Sequence, residues 1–118
     1  MEFKELLDKV KEIQRQSGIV VETSPTKVFE KSDVDFKSAQ DRYKLGQNGL
    51  KTFYEANVLM DLDMVYKSLV EQLHTLLGTA HMYGLAHVLE DGIKEMHEAH
   101  VSKRDPDLEN ILSNHLNK

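Results

Sequence analysis

An all-α fold, a bundle of four or five helices, is what this sequence predicts, and three observations lead there. Apolar residues recur at helical spacing through most of the chain. The joints between the periodic stretches are short and carry helix-stopping or helix-starting residues, a combination that favours antiparallel neighbours. No stretch alternates apolar and polar residues strongly enough to suggest a sheet. A length of 118 residues suits one helical domain, able to bury a working core without staples.

The first expected helix runs from Glu2 to Ser17, with Phe3, Leu6, Leu7, Val10 and Ile13 on its buried stripe and Gly18 as its stop. Ile19 to Lys31 reads as a loop around Pro25, with a short extended piece at Ile19-Val20-Val21, and Ser32 or Asp33 is placed to cap the next helix. The second pattern uses Val34, Phe36, Ala39, Tyr43 and Leu45, then Leu50, Phe53, Tyr54, Val58 and Leu59. Between its halves stand Gly46 and Gly49; a glycine inside a helix costs about 1 kcal/mol relative to alanine, so a kink or turn is expected there. The third helix spans Asp61 to Tyr83, with Leu62, Val65, Leu69, Leu73, Leu76, Leu77 and Ala80 inward and Gly84 as its end. The fourth spans Ala86 to His100 through Leu89, Ile93 and Met96. Asp105-Pro106 opens a fifth, proline being well placed at a first helical position, with Leu108, Ile111, Leu112 and Leu116 as its stripe. Residues 1–118 then form a single helical domain, with 105–117 a C-terminal helix, spare to the bundle, that covers it or pairs with another chain.

Composition narrows the function. With no cysteine there is neither a disulfide framework nor a thiolate metal site, which fits a reducing, cytoplasmic setting. No apolar run has the length of a membrane span, and the opening MEFKELLDK lacks the apolar region of a signal peptide. A net charge of −5 argues against a nucleic-acid backbone as the main partner, while leaving room for a small anion held by local cations.

Two segments carry a family likeness. Glu71 to Leu85, with Gly78-Thr79-Ala80 and then Gly84, resembles the third-helix signature of the all-α nucleoside-triphosphate pyrophosphohydrolases, the MazG and phosphoribosyl-ATP pyrophosphohydrolase-like superfamily. Met96 to Lys103 resembles that superfamily's closing segment, which ends in Ser-Lys, and Arg42 to Ala56 has the spacing of its second helix. The likeness spans roughly residues 42–103. It implies a MazG-like bundle that completes its core by assembling as a homo-oligomer. The family holds Mg²⁺ through an EExxE pattern on one helix and ExxD on the next, oxygen ligands suited to a hard ion that activates water. Here the EExxE slots fall on Asn48, Gly49 and Thr52, and the ExxD slots near Ser68 and Glu71; no EExxE exists anywhere in the chain.

The resemblance therefore implies a catalytically degenerate scaffold that binds a nucleotide-like ligand without hydrolysis and without a cofactor. Small phage proteins use scaffolds of this kind, so a sponge that sequesters a nucleotide signal fits. The ligand residues it implies are Arg42, Lys44 and Lys103 for phosphate, His97, His100 and Ser102 for directional hydrogen bonds, and Asn48 and Thr52 as neutral donors, in a groove between the second, third and fourth helices. Arg104 stands beside Lys103. Two alternatives stay open: an active Mg²⁺-dependent pyrophosphohydrolase with a rearranged site built from Glu55, Asp61 and Glu71, and a structural or interaction bundle. Each ligand residue also has an ordinary reading. Lys103 complements a helix end, His97 and His100 are an exposed pair on one face, and Arg42 and Lys44 belong to a charged face. Glu71 and His74 have ExxH spacing, but a di-iron bundle needs two such motifs and two further glutamates. His81 and His87 lack a diagnostic zinc spacing, and no Walker-type phosphate loop is present.

Overall fold

The computed structural model describes residues 2–19, 21–22 and 36–116. These form five helices and no strand: α1 Phe3–Gln16, α2 Phe36–Val58, α3 Leu62–Met82, α4 Ala86–Val101 and α5 Leu108–Leu116. Most of the expected loop from Ile19 to Lys31, and the expected cap at Ser32 or Asp33, lie outside the described residues.

The helices form where the apolar spacing places them, and their ends follow backbone chemistry. Asp61 caps α3, its Oδ1 accepting from the Met64 N–H at 3.2 Å, and Asp107 caps α5 by accepting from the Asn110 N–H at 3.2 Å. Pro106 therefore precedes the α5 cap instead of occupying the first helical position. At the C-termini of α1 to α4 the same pair of closing hydrogen bonds appears. After α1 they run from Gly18 N–H to Arg15 O and from Ile19 N–H to Gln14 O; after α4 they run from Lys103 N–H to His100 O and from Arg104 N–H to Ala99 O. This motif needs a left-handed residue just past the helix. Gly18 and Gly84 supply it at φ +73° and +70°, whereas Met60 and Lys103 adopt it at +54° and +56° despite their side chains.

Around the C-terminal half of α3 the packing is densest. Leu7 and Val10 of α1 meet Leu77 and Ala80 of α3 and Ala86 of α4, with Phe3, Leu6, Leu85 and Leu89 against them. α5 folds back onto α4, and α2 lies along α3; α2 and α4 do not pack on each other. Buried Gln14, not Ile13, continues the α1 stripe after Val10, and Ile13 faces solvent.

Two expectations about α2 and α3 are corrected. α2 runs unbroken through Gly46 and Gly49. The helix tolerates Gly49 because α3 needs the space: a Cβ there would sit 2.6 Å from Cγ of Gln72, whose amide donates to the Gly49 carbonyl at 3.3 Å. On α3, Leu77 is buried at 3 % exposure, but Leu73 is 54 % exposed, and Leu69 and Leu76 are exposed with it. Leu62, Tyr66, Leu69, Leu73 and Leu76 are spaced 4, 3, 4, 3, the repeat of a helix–helix seam, and in the single chain this seam is uncovered. Tyr43, Leu50, Tyr54 and Val58 leave α2 apolar on its open side as well. No helix among the described residues is long and apolar enough to cross a membrane.

Candidate functional site

α2 and α3 enclose a cleft of about 610 Å³, within the range of small-ligand sites. Along α3, Glu71, Gln72, Thr75, Thr79 and Tyr83 recur at intervals that keep them on one helical face. Across from them α2 presents Arg42, Asn48 and Thr52, with Gly46 and Gly49 between. Nothing lies within 4 Å of where a Gly46 Cβ would stand, so the glycine leaves part of the wall bare.

At one end of the cleft Arg42 is held by neutral groups. Its Nη2 donates to Gln14 Oε1 at 2.7 Å, and its Nε points at Met82 Sδ at 3.0 Å. Gln14, only 4 % exposed, donates from Nε2 to the Gly78 carbonyl at 2.9 Å. A Cβ at Gly78 would collide with the Gln14 amide oxygen and come within 3.1 Å of Arg42 Nη1, so any larger residue there has to displace both side chains. The glycine that opens the Gly-Thr-Ala signature thus makes room for a Gln14–Arg42 link from α1 to α2. Burial pushes the Arg42 guanidinium below its ordinary value, and no carboxylate among the described residues is bonded to it.

At the other end stands Glu71, exposed, with no hydrogen bond or ion pair among the described residues. Asn48, Gly49, Thr52 and Glu71, slots that the family likeness assigns to acids, therefore line one cleft with a single carboxylate among them. Ser68 is buried and donates to the Val65 carbonyl at 2.9 Å within its own helix. Glu55 lies 4.0 Å from Lys51 and Asp61 serves as a cap. No group of three His, Asp or Glu side chains among the described residues is arranged to hold a metal ion.

The structure divides the other expected ligand residues from this cleft. Lys44 is exposed on α2 and is not part of the cleft wall; His97, His100 and Ser102 lie at the C-terminal end of α4, which does not pack on α2. Lys103 is the left-handed residue that closes α4. Among the described residues α4 contacts α1, α3 and α5 but not α2, so they form no groove shared by the second, third and fourth helices. Arg104 is engaged locally, donating to both Glu95 oxygens at 2.6 and 2.9 Å, while the Asp107 N–H donates to Glu95 at 2.8 Å. Those partners hold the Glu95 carboxyl down to about 2.

The histidines have separate duties. His81, 5 % exposed, places Nε2 2.7 Å from the Leu7 carbonyl, which only accepts, so Nε2 carries the proton; burial lowers its tendency to gain a second. His87 instead meets His115 edge-on at 5.1 Å, and His115 is 3.2 Å from Asp91. Sequence reasoning missed Gln14. The available signal was a neutral amide at the next position of the Leu7–Val10 stripe. No known family model matches the chain, and no curated protein or solved structure matches it either.

Proposed function

We propose that this chain binds a small nucleotide-like ligand in the α2–α3 cleft without hydrolysing it, as a homo-oligomer that can sequester a nucleotide signal. The observation that carries the reading is the cleft itself. It is large enough for a nucleotide, sets amide and hydroxyl groups from both helices among the apolar Tyr43, Leu45, Leu50 and Leu76, has at one end a guanidinium that no carboxylate among the described residues engages, and contains one carboxylate among those residues. Among the described residues a single exposed carboxylate in the cleft offers a divalent ion too few of the oxygen ligands it requires, which supports binding without hydrolysis. The uncovered seam on α3 and the apolar side of α2 support the homo-oligomer; Tyr43, Leu50 and Leu76 belong to these faces and also line the cleft, so a second copy packed there would form part of the cleft wall.

Thermal denaturation against a panel of nucleotides, run once with chelator and once with Mg²⁺ and with product analysis of both, tests this reading. A ligand that binds only the folded state raises the melting temperature with concentration. The expected result is such a shift with intact nucleotide recovered. Turnover that requires Mg²⁺ and disappears in Glu71→Gln would replace this reading with hydrolysis.

A further inference from the structure

The two ends of the cleft carry opposite charge, and that sets which way a ligand lies. Glu71 is at one end, close to Asn48 and Thr52. Arg42 is at the other, against Gly78 and Met82. From Glu71 to Gly78 or Met82 is seven to eleven residues of α3, about 10–16 Å at 1.5 Å per residue. We infer that the cleft takes an amino-substituted nucleotide with the base amine on Glu71 and the phosphate end on Arg42. This rests on the ligand-binding reading above and adds orientation and base class to it.

Three physical points carry the inference. A carboxylate with no bound metal repels phosphate, so the anionic end of a ligand is excluded from the Glu71 end. The same carboxylate only accepts hydrogen bonds, and the exocyclic amines of adenine and cytosine only donate, as when an acidic side chain reads cytosine. Asn48 and Thr52 each offer both a donor and an acceptor for the neighbouring ring atoms. At the far end, Arg42 spends one Nη2 N–H on Gln14 and its Nε–H on Met82, which leaves the two N–H groups of Nη1 and one of Nη2 for a phosphate. The distance between the ends suits a short phosphate tail. The bare wall at Gly46, where a Cβ would meet nothing, leaves space for a flat ring between them.

Titration calorimetry in chelator compares AMP with inosine monophosphate, and CMP with UMP; within each pair the ring amine is replaced by a carbonyl. The wild type is expected to bind the amine-bearing member roughly tenfold more tightly or better, the loss of one charge-assisted hydrogen bond. Glu71→Gln is expected to erase that preference, because an amide can donate to the carbonyl; Glu71 is exposed and unbonded, so this variant keeps the fold. Gly46→Leu, which meets no protein atom at its Cβ, is expected to abolish binding of all four with the helical content unchanged. Nucleotide binding with no preference within either pair, or Glu71→Gln that tightens pyrophosphate and leaves the pair ratios unchanged, would overturn the orientation while leaving ligand binding standing. No binding by any nucleotide would overturn both.

Discussion

At the residue scale, glycines and one buried histidine show most clearly how position decides cost. Gly46 and Gly49 are three residues apart in the same helix, yet their surroundings oppose each other. Gly46→Ala gains helix propensity and meets nothing, so it is expected to stabilise the fold by about 1 kcal/mol. Gly49→Ala puts a methyl group into Gln72 and is expected to destabilise it, because α2 and α3 must separate or Gln72 must leave the Gly49 carbonyl. Urea denaturation of the two variants should give shifts of opposite sign. His81 makes a pH prediction. Burial depresses its folded-state value below the ordinary 6.5. Its neutral form is therefore the folded form, and stability is fully present above pH 6.5. Stability is lost as pH falls below that value, where the unfolded chain takes up a proton that the folded chain refuses. Denaturation midpoints at pH 7.5 and 5.5 should differ in this direction, and the difference should shrink in His81→Gln, whose amide can still donate to Leu7.

At the scale of elements, helix ends and joints carry the specificity. Four helices close with the same hydrogen-bond pair, but only two spend a glycine on it. A side chain at positive φ costs roughly 1 kcal/mol or more relative to glycine, so Lys103→Gly is expected to stabilise the protein by about that amount. Thermal melts with no ligand present should show the gain. The joint between α4 and α5 depends on Glu95, which receives Arg104 and the Asp107 N–H together. Its carboxyl is held at about 2 against an ordinary 4.5. The stabilisation is therefore present above pH 4.5 and is lost as pH falls toward 2, when the carboxylate is protonated. Amide exchange across α5 should accelerate over that window in the wild type. In Glu95→Gln it should be fast and nearly pH-independent once intrinsic exchange is divided out.

At the scale of the whole molecule, two leucines four residues apart separate folding from assembly. Leu77 sits in the core with Leu7 and Val10, so Leu77→Ala is expected to cost about 2–5 kcal/mol whatever the protein concentration. Leu73 lies on the uncovered seam. Its truncation is expected to cost little within one chain and to weaken association instead. Light scattering of the wild type should give a mass at a multiple of 13.6 kDa, and Leu73→Lys should lower it to a single chain with the helical spectrum retained. A wild type that stays monomeric at micromolar concentration would remove the oligomer from the proposal.

The helical class and the ends of the helices to within three residues, where described, were legible in the sequence by itself, and the structure has five helices among the described residues where four or five were expected. Apolar spacing of 3.6 residues and Gly18 and Gly84 past helix ends are local signals that need no partner, whereas Pro106 drew the start of α5 to Asp105, ahead of the cap that Asp107 supplies. Asn48, Thr52, Arg42 and Glu71 were likewise legible as chemistry-bearing residues. Contacts between helices were not, because they depend on which faces meet. An apolar stripe at Leu69, Leu73 and Leu76 looks the same whether it meets its own chain, another copy or water, and only the tertiary structure showed that α1 and α4 bury the other side of α3. A kink at Gly46 and Gly49 followed from helix propensity alone. The helix instead runs unbroken through both, with Gln72, 23 residues away, packed on Gly49 and donating to its carbonyl. The tertiary structure also placed Lys103, His97, His100 and Ser102 outside the cleft lining, on and beyond the end of α4, which makes no contact with α2. Spacing along a chain sets what each helix can offer; the choice among its faces belongs to the packing of all of them at once.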